Sequence, residues 1–81
     1  MKVYVAVTVH FTMDGKVLPM SFIWEDGQVY QIEKVKNVCQ LDDRDFGGFR
    51  TMYICQVKGR VTHLYYESGP GGRWFLERKA A

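Results

Sequence analysis

No part of this 81-residue chain is suited to crossing a bilayer as a helix: the longest apolar stretch, VYVAVTVHF from Val3 to Phe11, falls far short of the ~20 residues a spanning helix needs. Thr8 and His10 interrupt it and no small-residue cleavage site follows, which argues against a signal peptide. A cytoplasmic chain with no membrane association is therefore expected. Cysteine is scarce. Cys39 and Cys55 are the two present, and without a secretory signal they are expected to stay reduced, although one bridge is open to them. Together with His10 and His63 they match a zinc site in number, but they lack the short spacings that bring ligands together, so the four read as core thiols and surface imidazoles. Helical periodicity is also missing, since no segment keeps apolar residues at three- and four-residue spacing over the 10–12 residues a helix requires.

Catalytic motifs are equally sparse. There is no Gly-x-Ser-x-Gly, and GPGGR (69–73) lacks the Gly-Lys-Ser/Thr ending and following helix that cradle a phosphate. DDRDFGG (42–48) suggests a calcium loop, but position twelve counted from Asp43 is Ile54 rather than glutamate. The one pair suited to proton transfer is His63 opposite Glu77. No cofactor is implied, and the chain is expected not to be an enzyme.

What the chain does have is period two. Val3, Val5, Val7, Val9 and Phe11 alternate with smaller or polar residues, the pattern of a half-buried strand. Asp14-Gly15 then predicts a hairpin with a type I′ turn. Strand two spans Val17 to Trp24, with Leu18, Met20, Phe22 and Trp24 on one face, and Pro19, having no N–H, must lie at an edge or a bulge. Asp26-Gly27 turns the chain into strand three, Val29 to about Cys39. Its apolar phase slips between Ile32 and Val35, which predicts a kink near Glu33-Lys34. Residues 40–50 read as the longest loop, followed by strands at Thr51–Lys58, Val61–Glu67 and Arg73–Lys79. The whole chain, 1–81, is thus expected to be a single all-β domain, a strongly bent antiparallel sheet or small barrel of about six strands. An open sheet that dimerises to cover its face is the alternative.

The last hairpin carries two aromatic doublets. Pairing Tyr66 with Trp74 aligns Tyr65 with Phe75 and Leu64 with Leu76, so that the indole of Trp74 is expected inside and the ring of Phe75 outside. The net charge of +2 is uneven: residues 50–81 hold six Lys/Arg (Arg50, Lys58, Arg60, Arg73, Arg78, Lys79) against Glu67 and Glu77. Basic groups beside exposed rings are the means by which proteins hold single-stranded nucleic acid. Arg50, Lys58, Arg60, Arg73 and Arg78 are accordingly the candidate phosphate contacts, and Tyr65 and Phe75 the candidate stacking pair. The competing reading makes Tyr65/Phe75 a stiffening cross-strand pair, buried if Phe46 and Phe49 cover it. A different class of function is a protein-interaction module that docks a peptide or a second copy through a sheet edge.

PMSFIWEDGQVYQIEKV (19–35), YICQV (53–57) and HLYYESGPGGRWFLER (63–78), in this order and spacing, resemble a small bacterial domain family of unknown function. Its members occur as stand-alone chains or at the C-terminal end of Y-family translesion polymerase-like proteins. Pro19, Phe22, Trp24, Tyr30, Ile32, Val35, Tyr53, Val57, Leu64, Tyr65, Arg73, Trp74 and Leu76 carry the resemblance. It implies a small β-domain working near DNA-repair machinery, with no catalytic residue to transfer.

Overall fold

The computed structural model describes residues 1–43, 48–69 and 71–78, the side chains of 42, 43 and 48 excepted. All of its regular structure is extended: β1 (Lys2–Phe11), β2 (Val17–Ile23), β3 (Val29–Gln31), β4 (Lys34–Asp43), β5 (Gly48–Val57), β6 (Arg60–Glu67) and β7 (Arg73–Glu77). They form one antiparallel sheet in the order β3-β2-β1-β7-β6-β5-β4.

That order fixes the shape. β3 and β4 occupy opposite edges of the sheet, yet only Ile32 and Glu33 separate them in sequence. Three backbone steps reach at most ~11 Å, so the two edges must converge there and the sheet must curl into a half-barrel. The connector bridges both sides, Ile32 donating its N–H to the Met20 carbonyl (2.9 Å) and Glu33 donating to the Gln56 carbonyl (2.8 Å). The kink expected near Glu33-Lys34 is this corner, and it divides the expected third strand in two, giving seven strands rather than six.

The concave face holds the core. Phe22, Tyr53, Cys55, Val57, Leu64 and Leu76 are buried, with Val5, Val7, Tyr30, Ile32, Val35, Tyr66 and Trp74 packed against them. Tyr53 crosses this space, and its hydroxyl donates to the Val17 carbonyl on β2 (3.2 Å). Cys55 lies opposite Val35, whereas Cys39 lies opposite Met52 further along β4, and both are free thiols. Burial leaves Cys55 with no accessible surface and pushes its pKa up to about 11. Because the thiolate is the reactive form, DTNB added to dilute native protein near neutral pH is expected to label one thiol, Cys39, and to reach Cys55 only on unfolding. Two fast thiols per chain would contradict this burial.

Three local expectations are corrected. The register of β1 against β2 shifts between Thr8 and Val9, where Ser21 and then Pro19 are the partners. This bulge accommodates the missing proline N–H, but it also turns Met20 outward (48% exposed) while Pro19 is buried. Leu18 and Met20 therefore do not share the face of Phe22 and Trp24. The turns differ as well. At Asp14-Gly15 and Asp26-Gly27 only the glycine has positive φ (+87° and +83°), whereas Lys58 (+50°) and Gly59 (+74°) both do. The two-residue I′ turn is therefore the Lys58-Gly59 link between β5 and β6. Finally, much of 40–50 is ladder and not loop, Gln40 pairing with Thr51, Leu41 with Arg50, Asp42 with Phe49 and Asp43 with Gly48. Phe46 lies outside the described residues.

Candidate nucleic-acid interface

The seven residues proposed from sequence separate into two groups on opposite sides of the sheet. Arg50, Tyr65, Arg73 and Phe75 lie on the convex side. The expected register is present, with Tyr65 opposite Phe75, Tyr66 opposite Trp74 and Leu64 opposite Leu76, and the Tyr65 and Phe75 rings stack at 5.0 Å between centroids and 9° between planes. Phe75, however, has no accessible surface, while Trp74 is half-buried. The expected exposure of Phe75 is thus corrected, and the cause is local. Tyr4, opposite it on β1, meets the ring edge-on at 5.8 Å, and the Lys2 ammonium and Arg50 guanidinium lie 4.8 and 5.3 Å from its centroid. Phe49 does not provide the cover; it belongs to the other face, in register with inward Thr51 and Tyr53, and is 55% exposed.

Glu67 ties this cluster together. Its carboxylate accepts from Lys2 (2.9 Å), the Tyr4 hydroxyl (3.2 Å) and Arg73 (3.4 Å), and Arg73 in turn lies 4.3 Å from the Tyr4 ring centroid. The hydrogen bond from Lys2 is the main cause that holds the Glu67 carboxyl below the usual glutamate range. Lowering a carboxyl pKa in the folded state adds stability that is present above the unfolded value near 4.3 and lost as pH falls through the folded value. Glu67→Gln is therefore expected to cost about 0.5–1 kcal/mol at neutral pH and less as pH falls below the unfolded value. Chemical denaturation at neutral pH and near pH 3 checks this, and a gap that stays constant would contradict it. The convex side is thus a small second core under cations that are already engaged with its rings.

Lys58, Arg60 and Arg78 belong to the other group, around a groove of about 530 Å³ at the corner of the half-barrel, lined by Phe22, Trp24, Tyr30, Lys58, Arg60 and Glu77 among others. Each position has a local origin. The Asp26-Gly27 turn ends the β2–β3 hairpin, placing Tyr30 opposite Phe22 with the rings stacked at 5.5 Å. The Lys58-Gly59 turn, where Gly59 donates its N–H to the Glu33 carboxylate (2.7 Å), carries the Lys58 ammonium to 4.8 Å from the Tyr30 centroid. Arg78 lies 5.9 Å from the Trp24 centroid and pairs with Glu25. Among the described residues neither Lys58 nor Arg60 is paired with a carboxylate. Trp24, expected on one face with Phe22, and Tyr30 are half-buried here. The one local signal in the sequence is that Trp24 stands just before the Asp26-Gly27 turn; the edge position of Tyr30 follows only from the sheet order.

A second groove of about 550 Å³, at the other end of the concave face, is lined by Val9, Phe11, Val17, Tyr53, Tyr66 and Trp74 and carries no charged group. His63 and Glu77 line a smaller depression of about 380 Å³ together with Val61, Thr62, Tyr65 and Leu76. No group of three or more His, Cys, Asp or Glu is placed to hold a metal ion among the described residues, and no helix among them is long and apolar enough to cross a membrane. Comparison with protein-family models, with curated proteins and with solved structures finds no match to this chain.

Proposed function

We propose that this chain is a binding domain for single-stranded nucleic acid, with the corner groove as its contact surface. The observation that carries the reading is the grouping of half-buried Trp24 and Tyr30 around one concavity with Lys58 and Arg60, which pair with no carboxylate among the described residues. A base entering the groove stacks against the Trp24 indole, while Lys58 and Arg60 neutralise the phosphates on either side of it. This combination of π-faces and cations tolerates any sequence. Arg78 contributes less, since Glu25 already holds it. Arg50, Tyr65, Arg73 and Phe75 stabilise the fold and do not touch the ligand. The resemblance to domains appended to translesion polymerase-like proteins supports a setting near DNA repair.

Fluorescence anisotropy with a labelled oligothymidylate across a salt series tests the proposal. Each phosphate contact on a single strand adds about −0.7 to the slope of log K against log salt; two to three contacts predict roughly −1.4 to −2.1. No binding at low salt, or binding that salt does not weaken, would overturn it.

A further inference from the structure

β4 ends the sheet, and among the described residues no strand pairs with its outward side. The two-residue Lys58-Gly59 turn makes Val57 and Arg60 a hydrogen-bonded pair, so alternate residues of β5 bond β6 and the others bond β4. Arg50, Met52 and Ile54 therefore bond Leu41, Cys39 and Asn37, which leaves the N–H and C=O groups of Val38 and Gln40 facing away from the sheet. The Val38 N–H is donated to the Asn37 side-chain oxygen at 2.9 Å, a local contact that fits its outward direction and that an incoming strand has to displace. Val38 and Leu41 expose 48% and 39% of their surface along this strand. An open strand edge of this kind is a template for another strand.

The charges along β4 indicate which strand. Lys34 and Lys36 stand at its start and Asp42 and Asp43 at its end, so β4 is complementary to itself when antiparallel. We propose that two copies of this chain pair antiparallel along β4 about a twofold axis at Cys39. In that register Val38 of each copy faces Gln40 of the other as a hydrogen-bonded pair, and Lys36, the extra residue where the register with β5 shifts between Val35 and Asn37, comes to the register position of Asp42. Cys39 meets its counterpart as a non-hydrogen-bonded pair. Such pairs hold Cα atoms about 4.5 Å apart, within the range a disulfide spans. A contact of roughly seven residues per copy is small, so the dimer is weak and concentration-dependent. It does not rest on the nucleic-acid reading.

Sedimentation velocity over about 10 µM to 1 mM, a range suited to small interfaces, should show monomer giving way to dimer. Diamide, which takes up the two protons and two electrons released by a pair of thiols, should then give a covalent dimer that Cys39→Ser abolishes. Gln40→Pro removes an outward N–H without touching the bonds to β5, so it should leave the circular dichroism unchanged while abolishing both dimer and cross-link. Should that variant fail to fold, charge exchange serves instead: Lys36→Glu and Asp42→Lys each weaken the dimer at least several-fold, and the two combined restore it. A monomer at every concentration overturns the proposal, as does a dimer indifferent both to Gln40→Pro and to the charge exchange.

Discussion

Phe75→Ala is expected to lower stability by about 3–5 kcal/mol, the usual cost of truncating a buried phenylalanine. For a domain of this size, where total stability is roughly 4–12 kcal/mol, the loss leaves a fold that is marginal at room temperature, with Tm lower by about 12–40 °C. The size of the effect follows from what surrounds the ring. Its faces and edge are in contact with Tyr65, Tyr4, Lys2 and Arg50, and the two tyrosines sit on strands paired to β7, so their backbones cannot close the vacancy. A base-stacking platform would behave in the opposite way, because an exposed ring is removed with little change in stability. Phe75→Leu separates the two roles further: it refills most of the space, so the thermal loss shrinks while oligonucleotide affinity stays as in the wild type. A Phe75→Ala protein with unchanged Tm and lost binding would return the interface to the convex side.

The second large effect belongs to the groove. Lys58→Glu combined with Arg60→Glu replaces two attractive phosphate contacts by repulsive ones, and at low salt the affinity for oligothymidylate is expected to fall at least 100-fold, with the salt slope reduced by about 1.4 or more. Both residues are exposed and neither is paired with a carboxylate among the described residues, so the melting temperature should stay within a few degrees of wild type. Trp24→Ala removes the stacking surface, which is worth ~1–3 kcal/mol per base, or about 5–150-fold in affinity. Equal affinity loss on replacing Arg50 or Arg73 would show that binding follows net charge and not this groove.

The alternation of apolar and polar residues was enough to reveal an all-β chain, its hairpins and a kink beside Glu33, because side-chain direction along a strand is a local property. The pairing of Tyr65 with Phe75 and of Tyr66 with Trp74 was likewise readable from one turn and one register. The burial of Phe75 was not, because the residues that cover it, Tyr4 and Lys2, come from β1, more than seventy positions earlier. Sheet order decides that contact, and no spacing within the hairpin encodes it. The same reason hid the groove: Trp24 and Tyr30 meet Lys58 and Arg60 only when the chain corner at Ile32-Glu33 curls β3 around toward the β5–β6 turn. Met20 was misplaced by a bulge of one residue, which reverses facing beyond it. Residues 41–43 and 48–50 look irregular in sequence since their partners are each other, and β4 has one covered side at most.

The proposed contact surface is the corner groove, where the Trp24 indole lies beside two cations that pair with no carboxylate among the described residues. The direct measurement is an NMR titration of the ¹⁵N-labelled chain with oligothymidylate, following the indole N–H signals of Trp24 and Trp74. The Trp24 signal is predicted to shift progressively, together with the amides around Lys58 to Arg60, while Trp74 and the amides of Tyr4, Tyr65 and Phe75 stay in place. Shifts confined to the latter set, or no shift at all at low salt, would contradict it.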